Sequence, residues 1–142
     1  MKLISIVFSF KDEEKNIPEL VVRTTKVLTK FSNWNYELIF VNDDSSDNSE
    51  LILTKLQKNH PINIINMSRN YGVGPCVIAG FRHSKGDAIV YMDSDLQDPP
   101  ELIEKLIEEY ENGADVVHTV RTKRLGESNL KMIITNLAYK II

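Results

Sequence analysis

Apolar positions along the chain follow two alternating periods. Short runs rich in β-branched residues read as strands at 3–10, 36–41, 62–66, 87–92 and 114–120. Helical spacing fills the intervals. Ile17, Leu20, Val21, Thr24, Val27, Leu28 and Phe31 fall at i, i+3, i+4, i+7, i+10, i+11 and i+14, the stripe of an amphipathic helix. Asp47 and Glu50 form a capping pair that predicts a helix whose inward face is Leu51, Leu53 and Leu56, or Ile52 and Leu56, and Pro61 ends that unit. Pro75 suits a first helical position and Gly86 a C-terminal cap, enclosing a helix that carries Val77, Ile78 and Phe81. Asp98 as N-cap, Pro99 as the first helical residue and Glu101 two further on predict another helix, with Leu102, Ile103, Leu106, Ile107 and Tyr110 inward and Asn112-Gly113 stopping it. Leu130, Ile133, Ile134, Leu137 and Ile141 recur at helical spacing near the end of the chain.

Strands alternating with helices predict an α/β fold, a three-layer α/β/α arrangement around a mainly parallel sheet. Ligands of such sheets bind beyond the carboxyl ends of the strands, where the strand order reverses. Each polar cluster here follows a strand. The acidic stretch around Asp43, the Arg69-Asn70 turn, the Asp93/Asp95 pair and the Arg121/Arg124 loop would therefore share one edge, and one site.

Composition narrows the field. At 142 residues the chain is one domain by length, able to bury about 70% of its unfolded surface. A net charge of −3 argues against a nucleic-acid binder held by phosphate neutralisation. The single cysteine, Cys76, excludes an intrachain disulfide framework and suits a reducing compartment. The apolar run after Met1-Lys2 is too short for a signal peptide, and no stretch approaches the ~18 apolar residues of a membrane span.

The chemistry centres on Asp93-Ser94-Asp95. Side chains at i and i+2 of an extended backbone point the same way, so these carboxylates would converge just past a buried strand. At ~5 Å they would repel by roughly 3 kcal/mol at an effective dielectric near 20. A hard divalent cation shared with substrate phosphates would offset that repulsion. The bland alternative is an Asx turn closing the strand. Asp43 stands at a strand end among other short acceptors, where a carboxylate can accept a nucleobase N–H. Ser68 to Gly74, with Arg69, reads as a phosphate-facing loop entering a helix amino end, although neither a P-loop nor a dinucleotide fingerprint is complete. Arg121, Lys123 and Arg124 would neutralise a diphosphate or form a solvated loop. His60, His83 and His118 have no metal-ligand spacing, and Cys76 has no histidine partner in the sequence.

These segments are recognisable together. Ser5-Ile6-Val7 through Asn16-Ile17, Val41-Asn42-Asp43-Asp44-Ser45-Ser46-Asp47, Ser68-Arg69-Asn70-Tyr71-Gly72, Ala79-Gly80-Phe81, Gly86-Asp87, Met92-Asp93-Ser94-Asp95-Leu96-Gln97-Asp98-Pro99-Pro100-Glu101 and the Arg121/Arg124 pair resemble the family 2 inverting glycosyltransferases of the GT-A, Rossmann-like nucleotide-diphospho-sugar transferase fold. Within that family the chain looks most like the polyprenyl- or dolichyl-phosphate sugar transferases. The resemblance implies that Asp43 reads the nucleotide base and that Glu13 and the backbone near Phe10 line the nucleoside pocket. It implies that Asp93 and Asp95, with Ser94 between them, flank the donor diphosphate, Asp95 being the direct ligand of Mg²⁺ or Mn²⁺ with Asp93 beside it. Arg121 and Arg124 would meet phosphate. The reaction implied is transfer of a sugar from a UDP- or GDP-sugar to a lipid phosphate with inversion, at the cytoplasmic, inner face of a membrane. Residues 1–142 would be the donor-binding portion, with the acceptor part and the catalytic base beyond Ile142 and Asp98 the candidate base within it. An alternative is a catalytically incomplete nucleotide-sugar-binding module. A receiver-like phosphoacceptor domain fits less of the chain, because its third strand ends in Asn66 rather than an aspartate. Departures from the family pattern are Ser9-Phe10-Lys11-Asp12-Glu13 after the first strand, Asn42 for an aspartate, and Asp44 for a glycine.

The apolar spacing from Leu130 to Ile141 predicts a surface that self-associates or meets a membrane. Deleting residues 127–142 should lower the apparent mass in light scattering; an unchanged, monomeric mass in both forms would overturn this.

Overall fold

The computed structural model describes residues 1–120, so Arg121, Arg124 and the apolar tail lie outside the described residues. Four strands, β1 (Lys2–Phe10), β2 (Trp34–Asn42), β3 (Ile62–Asn66) and β4 (Ala88–Asp93), alternate with four helices, α1 (Ile17–Leu28), α2 (Ser49–Leu56), α3 (Val73–His83) and α4 (Leu102–Glu111). All pairings are parallel, in the order β3-β2-β1-β4. Parallel neighbours cannot be joined by a tight hairpin, so each connection carries a helix across a face.

The two faces are packed differently. Ile4, Ile6, Phe8 and Phe10 of β1 join Leu38 and Phe40 of β2 beneath α1, α2 and α4, with Phe8 stacked on Phe40 at 4.8 Å between ring centroids. On the opposite face Val7, Ile39 and Val41 pack against Cys76 of α3, the one helix covering that face among the described residues. Helices therefore lie on both faces, the three-layer arrangement expected.

The predicted stripe of α1 is buried from Ile17 to Leu28, but the helix ends there and Phe31 packs from the following turn. In α2, Leu53 is buried and Ile52 and Leu56 pack beside it, whereas Leu51 is 54% exposed. Leu51 and Leu53 stand about 200° apart on a helix, so both cannot face the sheet. The expected Asp47–Glu50 capping pair does not form: Asn48 is the N-cap, Asp47 Oδ1 accepts the Ser49 N–H, and Glu50 Oε1 instead accepts from Asn66 Nδ2.

The helix α3 begins at Val73, two residues before Pro75, which still falls in the first turn where a missing N–H costs nothing. Its buried residues are Cys76 and Gly80, while Ile78 and Phe81 are 54% and 45% exposed. Small size decides this, because a Cβ at Gly80 would collide with Val7 Cγ1 and press Val41 Cγ2 at 3.3 Å. Gly86 is not a helix cap; α3 ends at His83, with Ser84 as its C-cap. It is a close-approach glycine whose added Cβ would meet Ser5 N at 2.7 Å and Ser5 Oγ at 2.8 Å.

The N-cap expected at Asp98 falls instead at Glu101, which makes no side-chain cap hydrogen bond. Pro99, Pro100 and Glu101 carbonyls accept three-residue turns, Glu101 is the N-cap, and its carboxylate leaves the helix axis to grip Arg23 of α1 at 3.0 and 2.6 Å. The Arg23 hydrogen bonds hold the Glu101 carboxyl down at about 2 against the cost of burial, and Glu19 shares the same guanidinium. Ile103 and Ile107 are buried as expected, and Leu106 and Tyr110 pack beside them.

Residues 114–120, expected as a fifth strand, form no ladder, and Val116 and Val120 are 71% and 80% exposed. A strand needs a partner, and the outer edge of β4 pairs with none among the described residues. A cavity of about 670 Å³ separates the two, lined by Ile89, Tyr91 and Met92 on one side and Val116 and Val117 on the other. Among the described residues no helix is long and apolar enough to cross a membrane.

Gly80→Ala should lower stability by about 1–3 kcal/mol through overpacking. Urea unfolding checks this, and an unchanged midpoint would show that α3 does not need its close approach to β1.

Candidate active site at the carboxyl edge of the sheet

Strand order reverses between β1 and β4, both leaving the sheet in the same direction. A crevice at that switch is where a ligand of an open parallel sheet binds. Register places Phe10 beside Asn42, Asn42 beside Asn66, and Ser9 beside Asp93. Asp43, Arg69 and Asp93 thus leave strand ends on one edge, as expected; Asp12 after β1 joins them, and the Arg121/Arg124 loop lies outside the described residues.

The loops after β1 and β2 are stitched together by carboxylates accepting backbone amides. Asp12 Oδ1 accepts Ser46 N at 2.6 Å, Ser46 Oγ at 3.2 Å and Asp47 N at 3.2 Å. In return Asp47 Oδ2 accepts Glu14 N, Ser49 Oγ accepts Glu13 N, and Ser45 Oγ accepts Asp12 N. Glu14 Oε2 takes both N–H groups of Asn48. Burial alone would raise the Asp47 pKa, but Ser49 and the Glu14 amide outweigh it and hold it low. Asp12 and Asp44 adopt left-handed backbone, φ 56° and 62°. Aspartate tolerates that region, so Asp44 makes the turn without the glycine expected there. Glu13 Oε2 accepts Asn16 Nδ2 at 2.6 Å, and Glu13 lines a shallow pocket of about 440 Å³ with Asp12, Lys15 and Ser46. Phe10 is buried against Phe40, and its carbonyl accepts Asp43 N at 2.9 Å.

Asp43 is 6% exposed. Its Oδ1 accepts Tyr71 N at 2.7 Å and its Oδ2 accepts Gly72 N at 2.9 Å, so the base-facing candidate is also the anchor of the turn after β3. Burial pushes its pKa up, yet these two amides, the Cys76 thiol and Lys11 more than offset that and hold the carboxyl below its ordinary value. Arg69 is exposed and stacks its guanidinium 4.7 Å from the Tyr71 ring.

The strand β4 ends at Asp93, so the two-residue spacing on extended backbone relates Tyr91 to Asp93 rather than Asp93 to Asp95. The Tyr91 hydroxyl donates to Asp93 Oδ1 at 2.6 Å and also meets Ser9 Oγ at 3.0 Å. Burial, then the Asp93 carboxylate, pushes the Tyr91 phenol up to about 12 and keeps it a donor. Ser94 is buried and its Oγ donates to the Ser9 carbonyl at 3.0 Å, pinning the turn to β1. Asp95 Oδ1 accepts Gln97 N at 3.0 Å, the Asx turn weighed above, and Leu96 is left-handed at φ 61°. Asp98 lines the larger cavity along β4. Tyr91 and Ser9 escaped sequence reasoning, although the two-residue spacing of Tyr91 from Asp93 was a usable signal.

The Glycosyl transferase family 2 model matches residues 5–140. The chain belongs to this glycosyltransferase family. It is 42% identical over 139 residues to the uncharacterized glycosyltransferase YkcC of Bacillus subtilis, covering 97% of the chain and 43% of that protein. The chain spans less than half the length of the curated relatives it matches, 44% and 43%. In fold it is similar to glucosyl-3-phosphoglycerate synthase from Mycobacterium tuberculosis in complex with UDP, with a TM-score of 0.67 and 20% identity over 99% of this chain and 52% of that one. It is also similar to the mannosyltransferase PcManGT from Pyrobaculum calidifontis in complex with GDP-Man and Mn²⁺, at TM-score 0.58 and 14% identity over 74% of this chain and 31% of that one. The parallel α/β domain thus has the GT-A fold of nucleotide-sugar transferases.

Whether this family 2 domain suits a divalent cation depends on its donor set. Asp93 and Asp95 are hard oxygen donors, each with one oxygen held by a protein donor. Among the described residues no three His, Cys, Asp or Glu side chains gather as a metal cage. Two carboxylates with phosphate and water completing the shell is what Mg²⁺ favours, so the residues fit a cation brought with a diphosphate.

The depressed pKa of Asp43 sets a sign for its pH dependence. Its contribution is fully present above about pH 4, the unfolded value, and is lost as pH falls through the lower folded value. Asp43→Asn should cost about 1–3 kcal/mol at pH 7 and flatten the loss of stability on acidification. Parallel acid limbs in urea unfolding of the two proteins would contradict the assignment.

Proposed function

We propose that this family 2 domain is the donor-binding part of an enzyme that transfers a sugar from a UDP- or GDP-sugar to an acceptor with inversion, the acceptor being a polyprenyl phosphate. The observation that carries the donor reading is the convergence of the four strand-end loops at the β1/β4 switch. Asp43, Glu13 and the Phe10 backbone stand at one end of that edge and would meet the nucleoside. Asp93, Ser94 and Asp95 stand at the other and would face the diphosphate. Arg69 and the amino end of α3 supply positive potential to the phosphates, with Arg121 and Arg124 proposed to join them.

Asp93 and Asp95 would hold Mg²⁺ or Mn²⁺, which when bound neutralises charge building on the departing nucleoside diphosphate. The Tyr91 hydroxyl and the Gln97 amide each hold one oxygen of this pair and set its orientation. The Ser94 bond to the Ser9 carbonyl fixes the turn to the central strand, so the carboxylates do not drift with the loop. The motif Asp93 to Glu101 supports the lipid-phosphate acceptor only by its resemblance. A cytoplasmic position at the inner membrane face goes with that acceptor.

Binding is the readout, because the chain spans less than half of its curated relatives. Calorimetric titration with UDP- and GDP-sugars, with and without Mn²⁺, should show one nucleotide bound more tightly with metal. Asp95→Asn should weaken it by about tenfold or more, equivalent to loss of a charge-assisted contact. Absence of binding by either nucleotide, or affinity indifferent to Asp93→Asn and Asp95→Asn, would count against the donor site.

A further inference from the structure

Ser9, Tyr91 and Asp93 share one face of the sheet. Ser9 stands in register with Asp93, and Tyr91 precedes Asp93 by two residues on the same strand. The Tyr91 ring packs on the cluster of Val7, Ile39, Val41 and Cys76, which seats the side chain against the α3 face. From that seat the hydroxyl reaches along β4 and donates to Asp93 Oδ1 at 2.6 Å. A phenol carries one proton, so the second contact of this hydroxyl, with Ser9 Oγ at 3.0 Å, is donated by the serine. Donation therefore runs from Ser9 to Tyr91 to Asp93.

Both hydroxyls are carried by strands of the sheet rather than by a loop. Ser9 is 8% exposed on the central strand, and its carbonyl also accepts Ser94 Oγ at 3.0 Å. One residue of β1 thus secures Tyr91 through its side chain and the turn after Asp93 through its backbone. The consequence lies in what Asp93 can offer. A carboxylate has two oxygens, and the phenol occupies one of them with a short, charge-assisted bond. Asp93 itself is exposed, and among the described residues Oδ2 is the oxygen left open. Ca²⁺ takes carboxylates through one oxygen or both in a flexible shell, whereas Mg²⁺ demands near-octahedral geometry. Mn²⁺ shares that octahedral preference. A carboxylate limited to one oxygen suits these smaller ions.

We infer that Tyr91 and Ser9 are positioning residues for the diphosphate end of the site, their linked hydroxyls occupying Asp93 Oδ1 so that the carboxylate presents Oδ2 alone to a divalent cation. This rests on the donor-binding reading above and adds a selectivity to it, for Mg²⁺ or Mn²⁺ over Ca²⁺. Removing the phenol hydroxyl frees Oδ1 and relaxes that selectivity. Ser9 acts through the phenol, so its loss matters less and matters only while Tyr91 is present.

The test uses the full chain with Tyr91→Phe, Ser9→Ala and the double variant, each of which removes a hydroxyl and keeps the rest of the side chain. Calorimetric titration of UDP and GDP is run with Mn²⁺, Mg²⁺ and Ca²⁺ in turn. The wild type should bind nucleotide more tightly with Mn²⁺ or Mg²⁺ than with Ca²⁺. Tyr91→Phe should narrow that ratio about fivefold and Ser9→Ala about twofold, and the double variant should match Tyr91→Phe. A purely structural role would weaken binding with every cation alike and leave the ratio unchanged. Without any nucleotide, the Tyr91 hydroxyl vibration, isolated as the difference between wild type and Tyr91→Phe, should shift in Ser9→Ala. An unchanged ratio in Tyr91→Phe, additive effects in the double variant, or an unshifted vibration overturns the inference. A wild type that binds nucleotide equally with all three cations overturns it too, and leaves the nucleotide reading standing. If the wild type binds neither nucleotide, the donor reading fails and the selectivity with it.

Discussion

The strand β1 is hydrogen-bonded on both sides and buried on both faces, and everything at the site is placed relative to it. Its register with β2 and β4 puts Phe10 beside Asn42 and Ser9 beside Asp93. Its even residues fill the core under α1, α2 and α4, and Val7 meets α3. A one-residue slip would send each set to the wrong face. The switch in strand order lies at its edge, so a strand that contributes little chemistry determines where the chemical groups meet.

Carboxylates at the carboxyl edge do two kinds of work. Asp12, Asp47 and Glu14 are occupied with loop amides and hydroxyls, which makes the β1 and β2 loops one stitched unit. Asp43 is buried and anchors the turn after β3 through the Tyr71 and Gly72 amides. Asp93 and Asp95 are each held through one oxygen by a local donor. Their shared spacing in the sequence conceals this division. An acidic residue that satisfies orphan amides shapes the pocket, and one that keeps acceptor capacity free is able to meet a cation or a base.

Where sequence reasoning failed, longer-range partners had outcompeted local rules. Asp47 and Glu50 have the spacing of a capping pair, but Asn66 offers Glu50 a partner across the sheet edge. Glu101 stands at the N-cap of its helix and directs its carboxylate to Arg23 of α1, a two-pronged guanidinium contact that spacing along the chain does not announce. Apolar Ile78 and Phe81 yield the inward face of α3 to Cys76 and Gly80, because the sheet lies too close for larger residues. The segment 114–120 has strand composition but no described ladder partner, and composition cannot supply one.

Periodicity and strand-end polarity by themselves determined the alternation of strands and helices, the layered fold and the edge on which the candidate residues fall. These follow from backbone geometry, which repeats locally and is written residue by residue. Tertiary structure alone decided the strand order β3-β2-β1-β4, and hence which loops face each other across the switch. It decided that Tyr91 rather than Asp95 shares an extended face with Asp93, since only the point where pairing with β1 ends terminates β4. It also brought the Tyr71 and Gly72 amides to Asp43, contacts between residues 28 and 29 positions apart that no local pattern encodes.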